Sequence, residues 1–307
     1  MKLVVLLGLG VDVRVPPERD PRSGRVREEW LVREIDAASD AALGLALRLK
    51  AARADTEATV VQLGPPGHER WLRQALARGC DRAVRIWDDE AATVGTAGKA
   101  VILAAAVKAL GFDLALAGSA GVVDAGRRLG VLVAEHLGVA CATQAVDVTL
   151  VDGVETAEIT RGLDRGYRER VEVLLPALMT VSPGAAASPG APPAYIPVAA
   201  LLAAHDRTIP VWDLADLGVP FDQVRRADRS LEYGPLRPRR PRMHPLTPPD
   251  QSLPAFERVL KLIQGSVQRR EGRIVRQPPD GIVDEVFKTL RDEGWLDHLR
   301  PEAGGKP

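Results

Sequence analysis

The run Ala117-Gly118-Ser119-Ala120-Gly121-Val122-Val123-Asp124-Ala125-Gly126-Arg127-Arg128-Leu129-Gly130 holds the residue types in this chain best suited to chemistry. Glycines at 118, 121 and 126 let the backbone approach a ligand closely. A helix is predicted from Ala125 to Leu137, ended by Gly138. The first N–H groups of a helix lack partners within it, so they suit an anion. Arg127 and Arg128 fall in the first turn, where an exposed cation opposes the helix dipole at a cost of about 0.3–1 kcal/mol. A bound phosphate would offset that cost. The chemistry implied is non-covalent phosphate binding. The same residues also fit an ordinary strand–helix loop with two solvated arginines.

Other chemistries find no support. There is no GxxxxGK[ST], and Gly8-Leu9-Gly10 lacks the third glycine and nearby helix of a dinucleotide fingerprint. No GxSxG, HExxH or Cys/His pairing is found, so nothing reads as a self-contained catalytic site. His136 reads as a surface or packing histidine. Two cysteines, Cys80 and Cys141, give no disulfide framework and no metal spacing. Lys+Arg and Asp+Glu number 41 each, so no net field attracts nucleic acid. Leu3 to Leu7 is too short to span a bilayer and no cleavage pattern follows, so a cytoplasmic protein without membrane insertion is expected.

The elements that must position the loop alternate in kind. Leu3 to Leu7 reads as a strand covered on both faces. A charged loop runs to about Trp30, and Ser39 reads as the N-cap of a helix over Asp40–Ala52. Thr59 to Leu63 is a strand, Trp71 to Arg78 a helix with Gly79 beyond it, and Arg82 to Ile86 a strand. Thr93 to Leu110 is a helix and Leu114 to Ala117 a strand. Strand–helix alternation of this spacing implies right-handed crossovers and a parallel sheet. In such sheets ligands sit beyond the carboxyl ends of the strands, where the glycine loop falls.

After about 145 the pattern becomes hairpin-like. In Ile159 to Val181, ITRGLDRGYRERVEVLLPALMTV, alternating segments flank Gly162-Leu163-Asp164-Arg165-Gly166. That predicts a hairpin with one buried face. Val171, Val173 and Leu174 lead to Pro176, which marks where one strand stops and the buried run Ala177 to Val181 begins.

This order of residue types, with Arg161, Asp164, Glu172 and Pro176 in its key places, resembles the signature segment of the beta subunit of electron-transfer flavoproteins. Collinear stretches extend the resemblance. Ala42 to Lys50 is similar to that family's first helix, and Gly64-Pro65 with Leu72 to Ala83 to its Arg-x-Ala-Leu-Ala-x-Gly-Ala-Asp-Arg-Ala. Asp113 to Gly118 is similar to its Asp-Leu-Val-Leu-x-Gly strand, with Gly130, Ala134 and Leu137-Gly138 continuing the helix behind it. Asp280 to Leu296 is similar to a short terminal helix.

The resemblance implies a Rossmann-like α/β fold: a mostly parallel sheet with an antiparallel hairpin extension and an extended C-terminal arm. It implies an electron carrier and not an enzyme, in a heterodimer with an alpha subunit that carries the redox-active FAD. This subunit would hold AMP or a second FAD. Electrons would come from a flavin dehydrogenase and pass to a quinone oxidoreductase or another acceptor. Cofactor-contacting positions carried over by the resemblance are Leu6, Asp36, Ser39 and Leu63. Along the loop they are Gly118, Ser119, Val122, Asp124, Ala125, Gly126, Arg127, Arg128, Leu129 and Gly130. No catalytic or metal-binding residue is implied.

The chain departs from the family's pattern in places. The family's two loop aspartates and its glutamine align with Val123, Ala125 and Arg128, leaving Asp124 the loop's only acid. An arginine there adds a forked donor suited to phosphate, or a structural salt bridge. The family's dehydrogenase-docking segment becomes small and proline-rich here, keeping Pro193 and Tyr195 as docking positions or serving as a plain linker. A stand-alone adenine-nucleotide-binding regulatory or hydrolase-like protein of related fold is the alternative reading.

From Arg207 to Pro249 prolines and arginines dominate. The basic run Pro235 to Arg242 lacks the interleaved aromatics of a nucleic-acid patch. The domain expectation is 1–200 for the nucleotide-binding domain and 201–307 for an extended arm on a partner subunit. Two helices are predicted in the arm, Pro254–Gly265 and Gly281–Gly294. Each is too short to be stable alone.

Overall fold

The structure, a computed structural model, describes residues 1–21, 26–27, 30–119, 128–150, 155–187, 195–229, 252–264 and 276–292. The chain divides into Met1–Gly234 and Pro235–Pro307. In the first unit come β1 (Lys2–Leu6), β2 (Leu9–Val11), β3 (Arg33–Ile35), α1 (Ala37–Ala52) and β4 (Glu57–Leu63). Next are α2 (Glu69–Ala77), β5 (Arg82–Ile86), α3 (Thr96–Leu110), β6 (Leu114–Gly118) and α4 (Leu129–Leu137). Then follow β7 (Ala140–Leu150), β8 (Thr156–Gly162), β9 (Arg168–Leu174), β10 (Ala177–Val181), α5 (Val198–His205), β11 (Val211–Trp212) and α6 (Phe221–Asp228).

Nine strands form one sheet in the order β11-β5-β4-β1-β6-β10-β7-β8-β9. Pairing from β11 through β7 is parallel, and β7-β8-β9 is antiparallel. β1 lies at the centre of the parallel part, flanked by β4 and β6. Its residues alternate between two apolar clusters: Leu3 and Val5 face α1 and α2, while Val4 and Leu6 face α3 and α4. Burial on both faces is why Leu3 to Leu7 is uniformly apolar. Each such side chain contributes about 1.5–3 kcal/mol of burial.

The helix starts refine the expectations. The cap of α1 is Asp36, whose carboxylate accepts the N–H groups of Ala38 at 3.0 Å and Ser39 at 3.2 Å. Ser39 lies inside the helix, and its hydroxyl instead accepts the Gly8 N–H at 3.0 Å. Asp36 wins because the β1 exit occupies the Ser39 hydroxyl. Likewise α4 begins at Leu129 with Arg128 as its N-cap, so Arg128 precedes the first turn. Arg127 and the other residues of 120–127 lie outside the described residues.

The hairpin forms as predicted. Ile159 pairs with Val171 and Ala157 with Val173, all on the face that meets the α1-side cluster. At its tip the Leu163 N–H donates to the Tyr167 carbonyl at 2.8 Å, across Arg165 (φ 60°) and Gly166 (φ 82°). The left-handed pair suits glycine at the second place. Leu174 is 72% exposed, because period-two alternation turns it away once Val173 faces inward.

The first unit continues past residue 200. Val211 and Trp212 pair with Arg85 and Ile86, and Val224 of α6 is buried in the α3-side cluster. The Asp228 carboxylate accepts the Gly95 and Gly98 N–H groups at 2.9 and 3.4 Å, capping α3 from 130 residues away. In the second unit, α7 (Ala255–Gln264) and α8 (Pro279–Asp292) are described. Phe256, Val259 and Leu260 are exposed on α7, as are Val283, Val286 and Phe287 on α8.

Candidate functional site

A cavity of about 260 Å³ opens at the carboxyl ends of β4, β1 and β6. Strand order reverses there: β1 leads through α1 on one face to β4, whereas β6 is followed by α4 on the other face. That switch is where open α/β sheets bind ligands. Leu6, Asp36, Ser39, Leu63, Gly118, Ser119, Arg128 and Leu129 line it, joined by Leu7, Gly8, Leu9, Arg33, Val61, Gln62, His68, Lys99, Leu103 and Ala117.

The predicted positions divide by role. Gly118 backs directly onto α1: a Cβ there would stand 2.8 Å from both the N and Oγ of Ser39. This close approach makes the floor of the cavity. Gly130 does not line it; a Cβ at 130 would meet Thr180 Cγ2 at 2.6 Å, so this glycine lets α4 lie against β10. Val122, Asp124, Ala125, Gly126 and Arg127 fall outside the described residues, as does Pro193. Tyr195 is 83% exposed, just before α5.

Four helices start near this edge, and their ends differ. Asp36 caps α1 and Asp228 caps α3, so these N-termini already hold a carboxylate. Among the described residues, the N-cap residues of α2 and α4, His68 and Arg128, make no side-chain cap hydrogen bond. An uncapped start offers N–H groups and a partial positive charge to an anion. Among the described residues, Arg33, Lys99 and Arg128 line the cavity together with one carboxylate, that of Asp36, which adds to that preference.

Several buried polar atoms here have no hydrogen-bond partner among the described residues. They are the Gln62 amide oxygen, His68 Nδ1 and the Ser119 hydroxyl. Leaving such a group buried and unsatisfied costs about 1–3 kcal/mol. The His68 imidazole is pushed down to about 4, first by its desolvation and then by the charges of Arg33, Arg70 and Arg85. It is therefore neutral at physiological pH. Arg85, buried beside it, donates to the Gly64 carbonyl at 3.4 Å, with Glu69 at 4.0 Å.

Neither thiol is activated. Burial pushes the Cys80 thiol up to about 12 and also raises that of Cys141. Neither supplies a thiolate near neutral pH. Among the described residues no group of three or more His, Cys, Asp or Glu is placed to hold a metal, and no helix is long and apolar enough to cross a membrane. His136 is exposed on the last turn of α4.

Sequence reasoning missed Gln62, His68, Arg33 and Lys99, which arrive from four separate places in the chain. Gln62 alone left a trace, as a polar residue at the inward phase of a strand otherwise filled by Ala58 and Val60.

The site and sheet can be set beside known proteins. Residues 25–217 match the model of the electron transfer flavoprotein domain. The chain is 30% identical to the electron transfer flavoprotein subunit beta of Methylophilus methylotrophus, over 66% of this chain and 75% of that protein. It is 32% identical to the subunit of the same name from Clostridium acetobutylicum, over 71% and 79%. To the caffeyl-CoA reductase-Etf complex subunit CarD of Acetobacterium woodii it is 29% identical, over 65% and 74%. The chain therefore belongs to the electron transfer flavoprotein beta-subunit family and is an electron-carrier subunit rather than an enzyme.

Proposed function

We propose that the cavity holds an adenine nucleotide, AMP or FAD, as a positioning group, and that the subunit works in a heterodimer with a flavin-bearing alpha subunit. The observation that carries this reading is the start of α4, where the N-cap residue Arg128 makes no side-chain cap hydrogen bond, beside a cavity lined, among the described residues, by Arg33, Lys99, Arg128 and Asp36. Gly118, Ser119, Arg128 and Leu129 approach the phosphate end, and Leu6 and Leu63 give apolar wall to the nucleoside. Asp36 and Ser39 hold the α1 start against the floor. Loop residues Val122, Asp124, Ala125, Gly126 and Arg127 complete the phosphate cradle in this reading. The redox-active flavin, when bound to the partner, supplies the electron chemistry; the residues here orient nucleotide and partner.

The docking side is read from exposed surface. Tyr195, with Pro193 before it, leads into α5, where Val198 and Leu202 are exposed. We assign this face to the redox partners: a flavin dehydrogenase as donor and a quinone oxidoreductase or another acceptor. Arg73 steadies α5 by donating to the carbonyls of Ala204 at 3.0 Å, His205, and Arg207 at 3.1 Å. The chain beyond Pro235 packs on the alpha subunit through the apolar faces of α7 and α8, each too short to persist alone. The assembly acts in the cytoplasm.

Co-expression with the flavin-bearing subunit tests this. The expected product is a yellow heterodimer that releases an adenine nucleotide from this subunit on denaturation, read by native mass spectrometry and absorption. A colourless, stable monomer that turns over nucleotide would favour the stand-alone alternative. A complex with no nucleotide, and no thermal shift with AMP or FAD, would overturn nucleotide binding.

A further inference from the structure

Gln62 is 2% exposed, lines the cavity, and has an amide oxygen with no protein partner. Its strand otherwise fills this face with Ala58 and Val60. Leucine or valine would serve as well if packing were all that mattered. Arg85, its Cα partner on β5, does not satisfy that oxygen and donates to Gly64 instead. His68, in the loop that follows, presents a second unpaired atom, Nδ1. Native proteins rarely leave such atoms unpaired, so a donor is expected to come from the cavity.

The two ends of the cavity are chemically distinct. At the β6 end lie Ser119, Arg128 and the uncapped start of α4. At the β4 end lie the uncharged amide of Gln62 and the imidazole of His68, held neutral by burial and by neighbouring arginines, among them Arg33, which also lines the cavity. β1 separates the two strands, so the ends stand roughly 10 Å apart. A nucleotide has matching ends, an anionic phosphate and a neutral base edge. Glutamine is a preferred partner of adenine because its amide oxygen accepts from the exocyclic amine.

We propose that Gln62, supported by His68, reads the base of the bound nucleotide, its amide oxygen accepting the exocyclic amine of adenine while the phosphate lies at the start of α4. This rests on the nucleotide reading above and adds to it the chemical basis for adenine selection. A hypoxanthine base carries a carbonyl where adenine carries the amine, and would set acceptor against acceptor.

The test is calorimetric titration of the purified complex, stripped of nucleotide, with AMP, IMP and N6,N6-dimethyl-AMP. AMP is expected to bind on the order of tenfold more tightly than either analogue. Gln62→Met, which keeps volume but removes the acceptor, should weaken AMP to the IMP level and abolish the preference. Equal affinities in the unaltered protein would overturn the proposal without any variant. A preference that survives Gln62→Met would overturn it too, leaving the amide oxygen merely hydrated. If neither AMP nor IMP binds the unaltered protein, the nucleotide reading fails and this inference with it.

Discussion

The hairpin β8–β9 and the cavity at the heads of β4 and β6 belong to one sheet but treat their polar atoms in opposite ways. Arg161, the basic residue of the hairpin's signature, donates to the Thr143 carbonyl, the Thr143 hydroxyl and Glu169, each at 2.8 Å. The hairpin closes its own hydrogen bonds, and its inner face is Ala157, Ile159 and Val173. At the cavity, Gln62, His68 and Ser119 keep polar atoms unpaired. One region is finished by the chain, and the other keeps polar atoms that the proposed nucleotide would engage. The most recognisable segment of the sequence is therefore scaffold, and the proposed nucleotide site is assembled from distant residues.

Replacement of Ile159 breaks this comparison most severely if the two regions are coupled. The side chain is fully buried, so Ile159→Ala should cost about 2–5 kcal/mol of stability. Denaturant unfolding should show a lower midpoint with unchanged slope, and the added stabilisation from saturating AMP should equal that of the unaltered protein. Loss of the AMP increment would show that the hairpin shapes the site. Arg128→Gln probes the other side. Removal of a charged hydrogen bond to phosphate is worth about 1.5–3 kcal/mol, a loss of about ten- to a hundredfold in affinity. A large fall in stability with intact binding would make Arg128 a structural residue like Arg161.

What the sequence revealed follows the same division. Leu3 to Leu7, Arg82 to Ile86 and the hairpin were legible because burial on one or both faces imprints a period on neighbouring residues. β2, β3 and β11 are two or three residues long and carry no readable period. Gly118, Ser119, Arg128 and Leu129 were legible as one loop, whereas Leu6, Asp36, Ser39 and Leu63 came only through family resemblance. Gln62 and His68 stayed hidden because their role depends on which atoms remain unpaired after folding, which no local pattern records. Asp36 and Ser39 show a subtler limit. Both are good caps, and only the contact between Ser39 and Gly8 decides which one caps.

That decision can be measured. Asp36→Ala removes the acceptor for two N–H groups at the start of α1 and should cost about 1 kcal/mol. Ser39→Ala should instead loosen the Gly8 end of β1, with amide exchange rising at Gly8. If Ser39→Ala proved the more destabilising at the helix start, the cap assignment would reverse.

The smallest effect concerns pH. His68 titrates at about 4 in the folded chain, against an ordinary histidine value of 6.5. Above about pH 6.5 neither folded nor unfolded chain binds the proton, so the neutral imidazole contributes its full share of stability. Between 6.5 and 4 the unfolded chain binds the proton and the folded one does not, so stability falls as pH falls. His68→Asn should flatten that part of the stability curve and leave the region above about pH 7 unchanged. Nucleotide affinity should likewise show no histidine titration between about pH 6 and 8, since the imidazole is neutral throughout. A midpoint near 6.5 in the binding curve, lost in His68→Asn, would mean that His68 is solvated and charged like a surface residue. The cavity would then resemble the hairpin's exposed face rather than a desolvated ligand site.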